Sequence, residues 1–153
     1  MLKMKNITKL FLYLNLCLTL LACSKISPKG EIEVKDVTVE NFTKLNLKGD
    51  FKVFFAKGNQ NLVSVETYPN VYKNLDIEVE NGILTIEENR KTEQVDFYNI
   101  TIFGKNDLNE VSLSDKVEMN VSGQVKTPEF SLHLKGNSKF MGAIIAPKSK
   151  IEM

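Results

Sequence analysis

Asp76, Glu78 and Glu80 alternate along one run, so their carboxylates share a face if that run is a strand. With Glu87 and Glu88 across a turn they would form an acidic strip able to take a cation. No Asp-x-Asp-x-Asp-Gly loop accompanies them, and the same pattern describes the wet face of a half-buried hairpin. His133 is the single histidine and alternates with Leu132 and Leu134, which places it on the solvent side of a strand. One imidazole makes no zinc site unless carboxylates supply the remaining ligands. Asp115, Glu118 and Glu129 are the acids a polysaccharide-cleaving β-helix enzyme would use, but Arg90 is the only arginine and no convergent cluster is visible. No Ser/His/Asp order, phosphate-cradling glycine loop or paired metal motif occurs. The residues therefore point to a non-enzyme, with no catalytic residue, metal ligand or cofactor expected. Phe51, Phe54, Phe55, Phe97, Tyr98 and Phe103 would line a sugar- or lipid-binding surface if exposed, although strand aromatics generally build the core. Phe54 and Phe55 are adjacent, so a strand sends their rings to opposite faces.

Cysteine chemistry is confined to the N-terminus. The only cysteines are Cys17 and Cys23, which leaves Ser24 to Met153 without a thiol for a disulfide, metal site or nucleophile. Lys3, Lys5 and Lys9 precede an apolar run from Leu10 to Leu21. That run is short for a membrane span, which needs ~20 apolar residues, and suits the core of an export signal. Leu20-Leu21-Ala22-Cys23 resembles the bacterial lipobox. The resemblance implies cleavage after residue 22 and a diacylglyceryl group on the Cys23 thiol, with acylation of the new amino group. Two or more acyl chains anchor stably where one is marginal. Residues 1–22 are thus expected to be a lipoprotein signal peptide and 23–30 a lipidated tether, polar and carrying Pro28 and Gly30. Ser24 after the cysteine would, by enterobacterial sorting, direct the protein to the outer membrane of the cell envelope.

Charge narrows the partners. Without the first 22 residues, 17 basic and 19 acidic side chains remain, a net charge of −2. Nucleic-acid binding needs a clustered cationic excess, so no nucleic-acid partner is expected. The expected partners are the membrane, through lipid at Cys23, and a glycan or protein of unknown identity.

The elements that must position these residues read as strands. Period-two alternation dominates from Glu31, and Leu75 to Glu80, Asn81-Gly82 and Ile83-Leu84-Thr85-Ile86 spell a hairpin with a two-residue type I′ turn. A short helical turn fits Tyr68 to Asn74, a loop Asn89 to Gln94, and a strand Val95 to Phe103. Short strands then follow at Leu108 to Leu113, Val117 to Val121, Phe130 to Leu134, Lys139 to Met141 and Lys148 to Met153. Val111-Ser112-Leu113-Ser114-Asp115 aligns with Leu132-His133-Leu134-Lys135-Gly136 at an offset of 21 residues. An offset near 20 suits stacked solenoid coils, while an antiparallel sandwich also gives short, spaced strands.

From about Val34 to Met153 the chain resembles the head domain of putative auto-transporter adhesins, the GIN-type domain (DUF2807). The resemblance rests on Asn41-Phe42-Thr43-Lys44-Leu45, Leu47-Lys48-Gly49-Asp50-Phe51-Lys52-Val53, Val63-Ser64-Val65-Glu66, Asn81-Gly82-Ile83-Leu84-Thr85-Ile86 and Leu108-Asn109-Glu110-Val111, in that order. Ser114-Asp115 and Lys135-Gly136-Asn137 match more faintly. It implies an all-β domain over 31–153, with N-terminal β-hairpins leading into a short right-handed parallel β-helix-like stack. It also implies an envelope location, often as a lipoprotein, and a non-catalytic surface for binding or adhesion. A periplasm-facing structural lipoprotein is the competing role, and a polysaccharide-acting β-helix enzyme the remote one. Two departures stand out. The turn at Ser114-Asp115-Lys116 lacks the family's glycines, and the sequence stops before coils that many members carry. An edge strand at Lys148 to Met153 would then be guarded by Lys148, Lys150 and Glu152, or would pair with another chain in self-association.

Overall fold

The computed structural model describes residues 24–153; Cys23, the signal and its cleavage point lie outside the described residues. The domain is almost entirely β, in two mixed sheets of six strands. In chain order the strands are β1 (Glu33–Thr38), β2 (Lys44–Gly49), β3 (Lys52–Lys57), β4 (Leu62–Thr67), β5 (Leu75–Glu80), β6 (Ile83–Glu88), β7 (Asn99–Gly104), β8 (Glu110–Asp115), β9 (Glu118–Lys126), β10 (Glu129–Leu134), β11 (Lys139–Ile145) and β12 (Lys148–Glu152). One short helix, α1 (Pro69–Tyr72), links β4 to β5, with Pro69 in its first turn where a missing N–H costs nothing. The first sheet runs β1-β4-β7-β3-β9-β11 and the second β5-β6-β2-β8-β10-β12.

Successive strands cross between the sheets: β2 leads to β3, β8 to β9 and β10 to β11, each through a short turn. Within each sheet these strands pair in parallel, β2 with β8, β8 with β10, β3 with β9 and β9 with β11. The 21-residue offset is a register in space. Leu132 pairs with Val111, Leu134 with Leu113, and Lys139 with Glu118. The antiparallel strands sit differently from the expectation. β2 and β3 form no hairpin, because the Asp50-Phe51 turn carries the chain to the other sheet. β1, β4 and β5 flank the parallel strands instead of preceding them.

Each inner face is filled by the alternate apolar residues. Leu45 and Leu47, Val53 and Phe55, Leu84 and Ile86, Ile100 and Ile102, Val111 and Leu113 are all buried between the sheets. Each such side chain contributes about 1.5–3 kcal/mol by leaving water. The β5–β6 hairpin closes on Asn81 (φ 50°) and Gly82 (φ 75°), the paired left-handed residues of a type I′ turn. At the glycine-poor turn Asp115 itself takes φ 63°. In the turn that follows β10, Gly136 (φ 70°) occupies the equivalent place, where an added Cβ would lie 2.8 Å from the Asp115 carbonyl oxygen. The turns are tied to one another as well: the Lys116 amide donates to Gly49 O at 2.9 Å and the Asn137 amide to Asp115 O at 2.7 Å.

Two segments differ from their reading as sequence. Val95 to Tyr98 is loop, and β7 begins only at Asn99. Residues 24–30 do not hang free: Ile26 forms a parallel bridge with Thr92, donating from its amide to Lys91 O and accepting from the Glu93 amide, each at 2.9 Å.

Candidate binding surface

The outer face of the first sheet presents side chains in ordered rows, because residues in register on neighbouring strands point the same way. One row reads Asp36, Ser64, Thr101, Phe54, Asn120, Met141 across β1, β4, β7, β3, β9 and β11. Phe54 is 44% exposed at its centre, whereas Phe55 points inward and is 3% exposed. Among the other aromatics Phe51 and Tyr98 are buried, Phe97 is exposed on the loop before β7, and Phe103 is half-buried. The aromatic set singled out from sequence therefore divides: Phe54 and Phe103 lie on the outer face of the first sheet, and Phe54 is the more exposed.

The neighbouring row reads Val34, Glu66, Asn99, Lys52, Glu118, Lys139. It opens into a cleft of about 830 Å³. The far wall of the cleft is the stacked turns, with Asp50, Lys116 and Asn137, and its side is Gln94 to Asp96. Lys116 Nζ lies 3.0 Å from Asp50 Oδ2, and Lys139 Nζ 2.6 Å from Glu118 Oε1. The Lys139 ammonium, by hydrogen bond and charge, holds the Glu118 carboxyl below its ordinary range, with Lys52 adding to the pull. Beneath the cleft the rings of Phe51 and Tyr98 pack 5.4 Å apart at 58°. The Tyr98 hydroxyl is buried with no hydrogen-bond partner among the described residues. Burial pushes this phenol well above its usual value, and the nearby Glu88 carboxylate pushes it further. Paired charges, amides and an exposed ring can recognise a polar ligand with an apolar face. Ser138, the hydroxyl in the cleft, already donates to Leu113 O at 3.2 Å.

The acids expected to act together lie apart. Asp76, Glu78 and Glu80 do share the outer face of β5, at the edge of the second sheet. Glu87 faces the same way but pairs with Lys48 at 2.5 Å. Glu88 leaves the strip: it turns to the opposite face and accepts from the Asp50 amide at 3.1 Å and from Thr92 Oγ1 at 2.6 Å, bracing a turn and a loop. Among the described residues no three His, Cys, Asp or Glu side chains gather. Glu118 is engaged by Lys139, and Asp115 and Glu129 are exposed at strand ends. His133 lies on the outer face of the second sheet, in the row Glu78, Thr85, Asn46, Ser112, His133, Glu152, with its Nδ1 2.7 Å from Glu152 Oε2. The asparagines and threonine around Phe54 were not singled out from sequence.

The family model for putative auto-transporter adhesins, head GIN domain, matches residues 41–153. The chain belongs to this family. No curated protein matches it. Solved structures share the GIN-domain fold: a putative adhesin from Bacteroides fragilis (16% identity, TM-score 0.76), a putative lipid binding protein from Parabacteroides distasonis (18%, 0.66) and a putative adhesin from Parabacteroides merdae (14%, 0.63). Each match covers 84% of this chain but only 61%, 63% and 61% of the respective neighbour, so the GIN-domain chain spans about three-fifths of their length.

Proposed function

We propose that this GIN-domain chain is a non-catalytic binding protein of the cell envelope, anchored through lipid at Cys23, whose first sheet recognises a glycan. The observation that carries the reading is Phe54: an exposed ring in the middle of a sheet face, flanked in register by Thr101, Asn120 and Ser64, beside the charged cleft. A sugar ring has an apolar face that stacks on an aromatic side chain and hydroxyls that pair with amides and carboxylates, the mixture that small-ligand sites use. Family membership supports an adhesion-type role, and the order of basic flank, apolar run and Leu-Leu-Ala-Cys supports the anchor. Ser24 supports placement at the outer membrane.

A glycan array probed with the protein and with Phe54→Ala tests the binding reading. Retention on a defined sugar class, lost with Phe54→Ala at unchanged thermal stability, is the expected result; equal retention by both proteins removes Phe54 from the site. Protease shaving of intact cells, followed with an antibody to the C-terminal half, tests exposure. Loss of signal supports adhesion. Full protection until lysis supports a periplasm-facing structural lipoprotein, a reading favoured by the one-sided edges at β11 and β12, which leave self-association open.

A further inference from the structure

The segment that follows Cys23 is strapped to one end of the domain. Besides the Ile26 bridge, the Lys29 amide donates to Asn70 Oδ1 at 2.8 Å, and Asn70 Nδ2 donates to Ser27 O at 2.8 Å. Ile26 also packs its side chain against the core. The strap thus joins the loop after β6 and the helix α1 between β4 and β5, all on the flank of the sheets away from β11 and β12. Along the second sheet, β6 and β12 are separated by four strand spacings of ~4.8 Å, about 19 Å.

At the strap lies a cavity of about 370 Å³ lined by Lys25, Ile26, Ser27, Lys29, Asn70 and Arg90. Three cations line it and no carboxylate does. None of the three forms an ion pair among the described residues. Lys91 beside Arg90 is a further exposed cation. Glu93 is the acid on the same loop; it contributes its amide to the strap, and its carboxylate does not line the cavity. The chain's one guanidinium, with its forked geometry suited to phosphate oxygens, is therefore placed with two ammonium groups at the segment next to the lipidated position. From Cys23 to Ile26 is three residues, a reach of at most ~11 Å.

We infer that this flank is the membrane-facing end, with Lys25, Lys29 and Arg90 seating the phosphate of anionic lipid headgroups, so that the open edges at β11 and β12 point away from the bilayer. The inference rests on the proposed anchor at Cys23. It makes the anchored domain oriented, with the rows of the first sheet standing edge-on to the membrane. A cationic patch against an anionic leaflet loses its hold as salt rises.

The lipidated chain, purified from cells that process it, is reconstituted into phosphatidylcholine vesicles with or without phosphatidylglycerol. A fluorophore on Lys91→Cys or on Lys150→Cys reports proximity to a headgroup-borne quencher. Each is the only free thiol once Cys23 carries lipid and the signal has been removed. Strong quenching at 91 but not at 150 is expected in anionic vesicles. It should weaken with salt and in the Lys25→Ser/Lys29→Ser/Arg90→Ser variant, whose thermal midpoint is expected to be unchanged because all three are exposed. Equal quenching at both positions overturns the inference, as does quenching at 91 that ignores lipid charge and the triple substitution. Displacement by inorganic phosphate, but not by chloride of equal ionic strength, assigns the cavity to a soluble anion and also overturns it. A protein that fails to float with either vesicle overturns the anchor itself, a distinct result.

Discussion

His133 and Glu152 meet across the last two strands of the second sheet, Nδ1 to Oε2 at 2.7 Å, and Lys150 contacts the same carboxylate from within β12. β12 is exposed along its whole length and, among the described residues, hydrogen-bonds to one neighbouring strand, β10. Its attachment therefore rests on the parallel ladder and on the contacts among these three side chains.

Acid should loosen β12 before the rest of the sheet. Lys150 first, and His133 second, hold the Glu152 carboxyl below its ordinary value. A carboxylate depressed in the folded state stabilises that state above its unfolded pKa, and the contribution is lost as pH falls through the folded value. Hydrogen exchange followed from neutral pH to below the usual carboxylate range should show amides of residues 149–152 losing protection ahead of those in β8. Glu152→Gln should make β12 labile already at neutral pH and flatten the dependence; an unaltered profile would mean the trio holds nothing.

Alkali probes the other end of the core. The Tyr98 hydroxyl is buried beside Glu88 and Thr92, and its folded-state pKa is raised by burial and then by Glu88. A neutral phenol that cannot ionise in the fold contributes stability below the ordinary tyrosine value of 10.0, and that stability drains away as pH rises beyond it. Tyr98→Phe removes the ionisable hydroxyl and with it this sensitivity. Denaturant titrations should show little difference between the variant and the parent at neutral pH and a gain for the variant that widens above the tyrosine range.

How much of this was legible in the sequence differs by residue. Asn81-Gly82 announced its hairpin because both residues accept the left-handed conformation that a type I′ turn requires. The 21-residue offset between Val111 and Leu132 suited stacked coils and a sandwich alike, and the parallel pairing of β8 with β10 turns it into a register. Alternation also split Phe54 from Phe55. It says which face a residue occupies, however, and nothing about which strand lies beside it. β2 therefore lies between β6 and β8 without any trace in its own residues. Val95 to Tyr98 alternates like a strand but spends its backbone on the loop that carries Phe97 and Tyr98. The strap at 24–30 read as a tether because it is polar and holds Pro28 and Gly30. Its bonds run through backbone atoms and one distant side chain, Asn70, and leave no pattern in composition.

Two adjacent phenylalanines should separate binding from folding. Phe55→Ala empties a buried site and should cost about 3–5 kcal/mol. Phe54→Ala removes a ring that is 44% exposed and should cost less than about 1 kcal/mol. Chemical denaturation of both variants, read beside glycan retention, checks the split. A large loss of stability in Phe54→Ala would make it a structural residue and weaken the proposed platform.

Gly136 tests whether the stacked turns are a load the fold cannot relax. Its φ of 70° suits glycine, and an added Cβ would sit 2.8 Å from the Asp115 carbonyl oxygen, 3.3 Å from Asp115 Cα and 3.4 Å from its nitrogen. All three are backbone atoms, which cannot swing aside as a side chain would. The same Asp115 oxygen accepts the Asn137 amide at 2.7 Å, so moving it weakens the turn-to-turn bond as well. Gly136→Ala should therefore cost about 1–3 kcal/mol, the usual range for a backbone forced into a sparse region, and lower the thermal midpoint accordingly. Gly82→Ala is the control: φ is also positive there, at 75°, but nothing lies within 4 Å of the added Cβ. It carries the conformational strain without the collision, so a loss at Gly136 no greater than at Gly82 would show that the close approach of the two turns adds nothing.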